Sequence, residues 1–162
     1  MAKPTVYVET TVIGHLVGRI HPNPVIAGRQ TVTRAWWTSA AQDYSMLVSQ
    51  LVADECAAGD ADAAAERLAA LDGLTFVDAS DESDDLSRQL MAAGAIPTSE
   101  PRDALHIAIA ATNGVQYLVT WNFKHIANAV VRDLIENVCR DCGNEPPTIC
   151  SPDELQGNSD DP

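Results

Sequence analysis

Short apolar runs alternate with helix-forming stretches along this chain, and that alternation restricts it to a parallel sheet covered by helices on both faces. Val6-Tyr7-Val8 is uninterrupted by polar side chains, as expected of a strand buried on both faces. Similar runs predict strands at Ser45–Ser49, Leu74–Val77 and Tyr117–Val119, with an edge strand at Ile149-Cys150. Between them the spacing predicts helices over Val12–Val17, Gly28–Tyr44, Gln50–Ala58, Asp60–Asp72, Ser80–Ala93, Ala104–Thr112 and Ile126–Cys142. Asp60 is a suitable N-cap, and Gly73, Gly94, Gly114 and Gly143 supply stops. His21-Pro22-Asn23-Pro24 reads as a turn-rich break.

The 162 residues suit one domain with a proper core. No repeat or linker divides them, so residues 1–150 are expected to form the domain and 151–162 a flexible acidic tail. Only 5% of the chain is aromatic, so the core must come mostly from Ala, Val, Leu and Ile. No apolar run reaches the roughly 18 residues of a membrane span, and Glu9 interrupts the first apolar stretch; the expectation is a cytoplasmic protein with no membrane contact. Cys139-Arg140-Asp141-Cys142 has zinc-ligand spacing, with Cys150 nearby. Cys139 also falls on an apolar helical repeat, and the core reading is preferred.

Net charge is -13, which argues against a simple nucleic-acid binder, since such a protein presents a basic footprint. An enzyme that holds divalent cations is not excluded, because each ion offsets two negative charges. In an open parallel sheet, ligands bind beyond the carboxyl ends of the strands. The first strand ends in Glu9-Thr10-Thr11 and a later one in Thr120-Trp121-Asn122. Asp103 opens the helix that leads into that later strand, and Glu55 lies on the helix after the second strand. Glu9, Glu55, Asp103 and Asn122 can therefore converge at one end of the sheet. Crowded carboxylates oppose each other's ionisation unless a cation is present, and hard oxygen donors of this kind suit Mg²⁺ or Mn²⁺. Taken singly, each has an ordinary explanation: a solvated acid, a helix-dipole partner, a turn residue.

The segments that carry these residues resemble the motifs of PIN domains. Val6-Tyr7-Val8-Glu9-Thr10-Thr11-Val12-Ile13 is similar to the opening strand motif, and Ser49 through Glu55 to the second. Arg102-Asp103-Ala104-Leu105-His106-Ile107-Ala108-Ile109-Ala110, followed by Tyr117-Leu118-Val119-Thr120-Trp121-Asn122, resembles the third and fourth. The resemblance implies a three-layer α/β/α Rossmann-like domain with a central parallel sheet. It also implies a Mg²⁺- or Mn²⁺-dependent endoribonuclease, possible toxin of a toxin–antitoxin pair of the VapC type. Glu9, Glu55, Asp103 and Asn122 match the metal-binding positions, and Thr120 the catalytic hydroxyl beside them. Thr10, Arg102 and Lys124 are the candidates for substrate contact. The implied partners are RNA, an antitoxin protein and a second copy of the chain. Two positions depart from the common pattern: Glu9 and Asn122 stand where Asp is usual. A PIN-like module that binds RNA or protein without cutting is the alternative. No G-x-G-x-x-G or P-loop supports a nucleotide-binding reading. His106 shares a helical face with Asp103 and is expected to play a supporting role. His125 suits either a phosphate contact or a helix start, and Trp36-Trp37 a core position and a partner or base-stacking surface.

Overall fold

The computed structural model describes residues 2–156. Five parallel strands form one sheet in the order β3-β2-β1-β4-β5, where β1 is Thr5–Val8, β2 Ser45–Val48, β3 Thr75–Phe76, β4 Tyr117–Val119 and β5 Thr148–Cys150. The register pairs Val6 with Met46 on one side and with Tyr117 on the other. The outer pairings set Val48 against Phe76 and Val119 against Cys150.

The helices between strands are α1 (Thr10–Leu16), α2 (Pro24–Asp43), α3 (Gln50–Cys56), α4 (Ala61–Ala70), α5 (Asp81–Ala92), α6 (Pro101–Thr112) and α7 (Arg132–Asp141). From β1 the chain steps outward to β2 and β3, then returns past β1 to β4 and continues to β5. Right-handed crossovers in opposite directions place their helices on opposite faces. Accordingly α1 packs with α2, α3 and α4, while α5 packs with α6 and α7. The result is the expected three-layer α/β/α architecture.

Strands covered on both faces have no solvent side, and Val6, Tyr7, Val8, Leu118 and Val119 are all fully buried. Each such aliphatic side chain contributes about 1.5–3 kcal/mol over its exposed state. Helix α6 runs through the interior: Ala104 and every residue from His106 to Ala111 are buried. No helix among the described residues is long and apolar enough to cross a membrane.

Three expected boundaries shift. Helix α2 starts at Pro24, capped by Asn23, and α6 starts at Pro101, so both prolines occupy a first-turn position where no N–H is needed. Helix α7 starts at Arg132, not Ile126, because Asn122 and Asn128 divert the backbone into turns. Their side-chain oxygens accept the N–H groups of His125 and Val130. The segment expected to be a flexible tail is packed in its first part: Leu155 is buried and its carbonyl accepts the indole N–H of Trp36 at 2.9 Å. Residues 157–162 of that tail lie outside the described residues. Trp36 is a core residue, and Trp37 packs partly buried against the core. Cys139 is buried while Cys142 is exposed, and burial pushes the Cys139 thiol up to about 11.

Candidate functional site

The strand order reverses between β1 and β4, so the crevice of this sheet opens beyond the ends of those two strands. Glu9 and Thr120 are the residues that immediately follow them. Glu9 continues the ladder through its N–H to the Val119 carbonyl and then caps α1, its Oε2 accepting the Thr11 N–H at 2.5 Å. Its Oε1 accepts the Thr120 hydroxyl at 3.3 Å. The carboxyl is 2% exposed. Burial pushes its pKa up, and the charge of Glu55 adds to that; His106 and the Thr11 hydrogen bonds pull the other way and lose.

A chain of hydrogen bonds crosses the core to Glu55. Ser49 Oγ and Tyr7 OH are 2.7 Å apart, Tyr7 OH and His106 Nδ1 are 2.7 Å apart, and His106 Nε2 meets Glu55 Oε1 at 2.5 Å. The Thr10 hydroxyl donates to the same Glu55 oxygen at 2.8 Å. In a neutral imidazole that donates Nε2–H to the carboxylate, Nδ1 must accept from Tyr7. Tyr7 keeps its proton because burial, and then the nearby Glu9 and Glu55 charges, raise its pKa, outweighing the Ser49 hydrogen bond. For Glu55 burial raises the pKa, but the His106 contacts and Thr10 together outweigh it, so the net shift is downward and the group is held ionised. Tyr7→Phe leaves Ser49 Oγ and His106 Nδ1 buried without their partner. Urea unfolding should show a loss of roughly 1–3 kcal/mol, and a loss near zero would mean that the chain of bonds contributes nothing to stability.

The third group is assembled by α6 and the turn after β4. Glu100 is the N-cap residue of α6 and Asp103 lies in its first turn. His125 is swung toward them by the Asn122 turn, and its Nδ1 lies 2.9 Å from Asp103 Oδ2. One ligand-type atom from each of Glu100, Asp103 and His125 lies within 4.8 Å of the other two, and all three side chains are half-buried.

The residues expected to converge are thus divided. Asp103 joins Glu100 and His125. Glu9 and Glu55 stay outside that cluster, each drawn to its own donors: Thr11 and Thr120 for one, His106 and Thr10 for the other. Asn122 serves the turn, accepting the His125 N–H at 3.0 Å. Thr120 is fully buried, and its hydroxyl is taken up by Glu9 and by the Asn122 N–H, so it supports the site from beneath. Arg102 and Lys124 are exposed, and the charge of Arg102 helps hold Glu55 ionised. A cavity of about 460 Å³ beside the ends of β2 and β3 shares Ser49 with this region but takes in none of the six acidic and histidine side chains.

Glu100 is absent from the sequence-based set. Its signal is Glu100-Pro101-Arg102-Asp103: a proline at the first helical position puts the two acids at N-cap and third position, on neighbouring corners of one helix end. The donor set fits a divalent cation. Two carboxylates supply hard oxygen, and an imidazole makes the set less suited to Mg²⁺ than an all-oxygen one. No protein-family model matches the chain, and no curated protein matches it significantly.

Proposed function

We propose that this chain is a PIN-type metal-dependent endoribonuclease that hydrolyses RNA phosphodiester bonds. The observation that carries the reading is the Glu100, Asp103 and His125 cluster, together with a buried carboxyl, Glu9, at the switch point of the sheet. A buried carboxylate is costly unless a positive charge lies near it, and no ion pair among the described residues engages Glu9. Asp103, Glu100 and His125 would hold a divalent cation, which would supply positive charge at this end of the sheet, acidify water and neutralise charge developing on phosphate.

The side chains prepare the rest. Thr120 and Thr11 fix Glu9, and His106 with Thr10 keeps Glu55 ionised and oriented. Water attacks phosphorus, the bond from phosphorus to the leaving ribose oxygen breaks, and a carboxylate such as Glu55 is suited to take the proton lost by the water, a proton from solvent completing the leaving hydroxyl. Cleavage of single-stranded or structured RNA should appear with Mn²⁺, more weakly with Mg²⁺, and stop with chelator. Activity unaffected by chelator would sink the reading. The second reading, a module that binds without cutting, is favoured by the engagement of both Glu9 oxygens with protein donors. It becomes the better one if purified protein cuts no RNA under any metal.

A toxin role, with an antitoxin as partner, belongs to the same proposal. So does a two-fold homodimer, the commonest closed assembly. Ile20 and Val25, 58% and 62% exposed around the start of α2, are apolar surface for such contact. Light scattering at tens of micromolar should give twice the 17.3 kDa chain mass; a monomer mass would refute the dimer.

A further inference from the structure

Charge is distributed unevenly. The chain has 23 acidic residues, yet none lies between Glu9 and Asp43, the stretch that forms α1 and α2. That stretch carries Arg19, Arg29 and Arg34. Arg34 folds the α1–α2 connection onto α2 by donating to the carbonyls of Leu16 and Gly18. None of the ion pairs among the described residues engages Arg19, Arg29, Arg34 or Lys124. The α1–α2 side of a strongly acidic protein thus carries arginines that no ion pair among the described residues neutralises.

An aromatic ring sits against this face. Phe123 is 40% exposed at the tip of the turn after β4. Its ring stands edge-on to Trp121 at 5.9 Å. The guanidinium of Arg29 lies 5.1 Å from the centre of the Phe123 ring and 5.5 Å from that of Trp121. Trp121 is anchored from below, its indole N–H donating to Thr33 at 2.8 Å. Phe123 is therefore a solvent-facing ring on a rigid base, with the Arg29 guanidinium against it and Lys124 next in the chain. The same turn carries His125 two residues on, at most about 7 Å along the chain, in contact with Asp103.

We propose that Phe123 and Arg29 form a stacking subsite for an unpaired base of single-stranded RNA, with Arg19 and Lys124 meeting the flanking phosphates. The proposal deepens the ribonuclease reading and rests on it. An exposed ring takes the face of any base, and unneutralised cations track the backbone. A duplex offers no free base face and should bind less well. Arg29 links the two functions, since its guanidinium both supports the ring and faces phosphate.

Binding is measured by anisotropy of a labelled single-stranded RNA of about a dozen nucleotides, in chelator so that no cutting occurs. Matched arms use an abasic strand, a duplex and a poly-glutamate peptide. Phe123→Ala should weaken binding of the intact strand on the order of ten-fold and leave the abasic strand unchanged. Phe123→Trp should retain affinity, which separates stacking from a folding defect. Lys124→Gln should lower affinity for both strands and reduce the salt slope by about one. Equal binding of the intact strand by wild type and Phe123→Ala overturns the proposal, as does equal binding of intact and abasic strands. Binding of the acidic peptide with none of RNA assigns the face to a protein partner and likewise overturns it. Cleavage with Mn²⁺ is scored separately. Stacking-dependent binding without cleavage removes the ribonuclease reading and leaves the subsite; cleavage unaffected by Phe123→Ala does the reverse.

Discussion

Asp103→Ala should abolish both the metal-induced rise in melting temperature and the cleavage of RNA. Asp103 touches the rest of the cluster on two elements: Glu100 shares its helix end, and His125 Nδ1 lies 2.9 Å from its Oδ2. Its removal takes away a ligand charge and also the acceptor that orients the imidazole. Loss of an orienting partner alone costs a metal site about 10- to 100-fold, so loss of the ligand itself should cost at least as much. The fold should survive, because Asp103 is a half-buried first-turn acid whose interaction with the helix end is worth about 0.3–1 kcal/mol, and α6 is held by its buried Ile107 and Ile109. In wild type, ion at about 100 times its dissociation constant should stabilise the protein by roughly 2.7 kcal/mol, read as a rise in melting temperature that is larger for Mn²⁺ than for Mg²⁺. The variant should show none. If wild type and Asp103→Ala gain equally from Mn²⁺, the ion is held elsewhere; if both cut RNA equally, the activity is a contaminant's.

Glu9→Gln should stabilise the metal-free protein while lowering activity. The folded-state pKa of Glu9 lies above the ordinary value of 4.5, with burial as the chief cause. The folded chain therefore binds this proton more tightly than the unfolded chain, and stability falls as pH rises from about 4.5 through the raised value. A glutamine keeps an acceptor for the Thr11 N–H and carries no charge, so it escapes that loss. The melting temperature of Glu9→Gln should exceed that of wild type near neutral pH, and the gap should close as pH approaches 4.5. Glu55 behaves in the opposite sense: its lowered pKa contributes stability that is lost on acidification, in both proteins alike, so the difference between the two curves isolates Glu9. Saturating Mn²⁺ should narrow the gap from the wild-type side. A variant less stable than wild type near neutral pH would show that Glu9 is not a strained anion.

Burial raises the pKa of both Glu9 and Glu55, and only at Glu55 do the surrounding donors outweigh it. Glu9 has hydrogen-bond donors but almost no solvent, whereas Glu55 is about one-fifth exposed and has His106 at 2.5 Å. Two carboxylates at one end of a sheet are thereby set to different protonation tendencies by environment, an arrangement more common at functional sites than elsewhere.

Local pattern determined the architecture. Continuous apolar runs such as Val6-Tyr7-Val8 mark buried parallel strands, and their alternation with helices leaves few topologies once crossovers are right-handed. The placing of Glu9 and Thr120 at the crevice follows from the same reasoning, since each directly follows a strand. The starts at Pro24 and Pro101 lie upstream of those expected for a local reason too: proline breaks a helix interior but suits its first turn. What only the tertiary structure decided are the contacts between side chains far apart in sequence. His125 meets Asp103 across 22 residues, His106 meets Glu55 across 51, and Tyr7 meets His106 across 99. No hydrophobic period encodes these meetings, because period fixes which face a residue occupies and leaves its partner on another element open. Packing chose them: burial left Tyr7 and His106 with no water to bond, so each had to find a polar partner inside the core, and Glu55 was drawn to His106 instead of to Asp103.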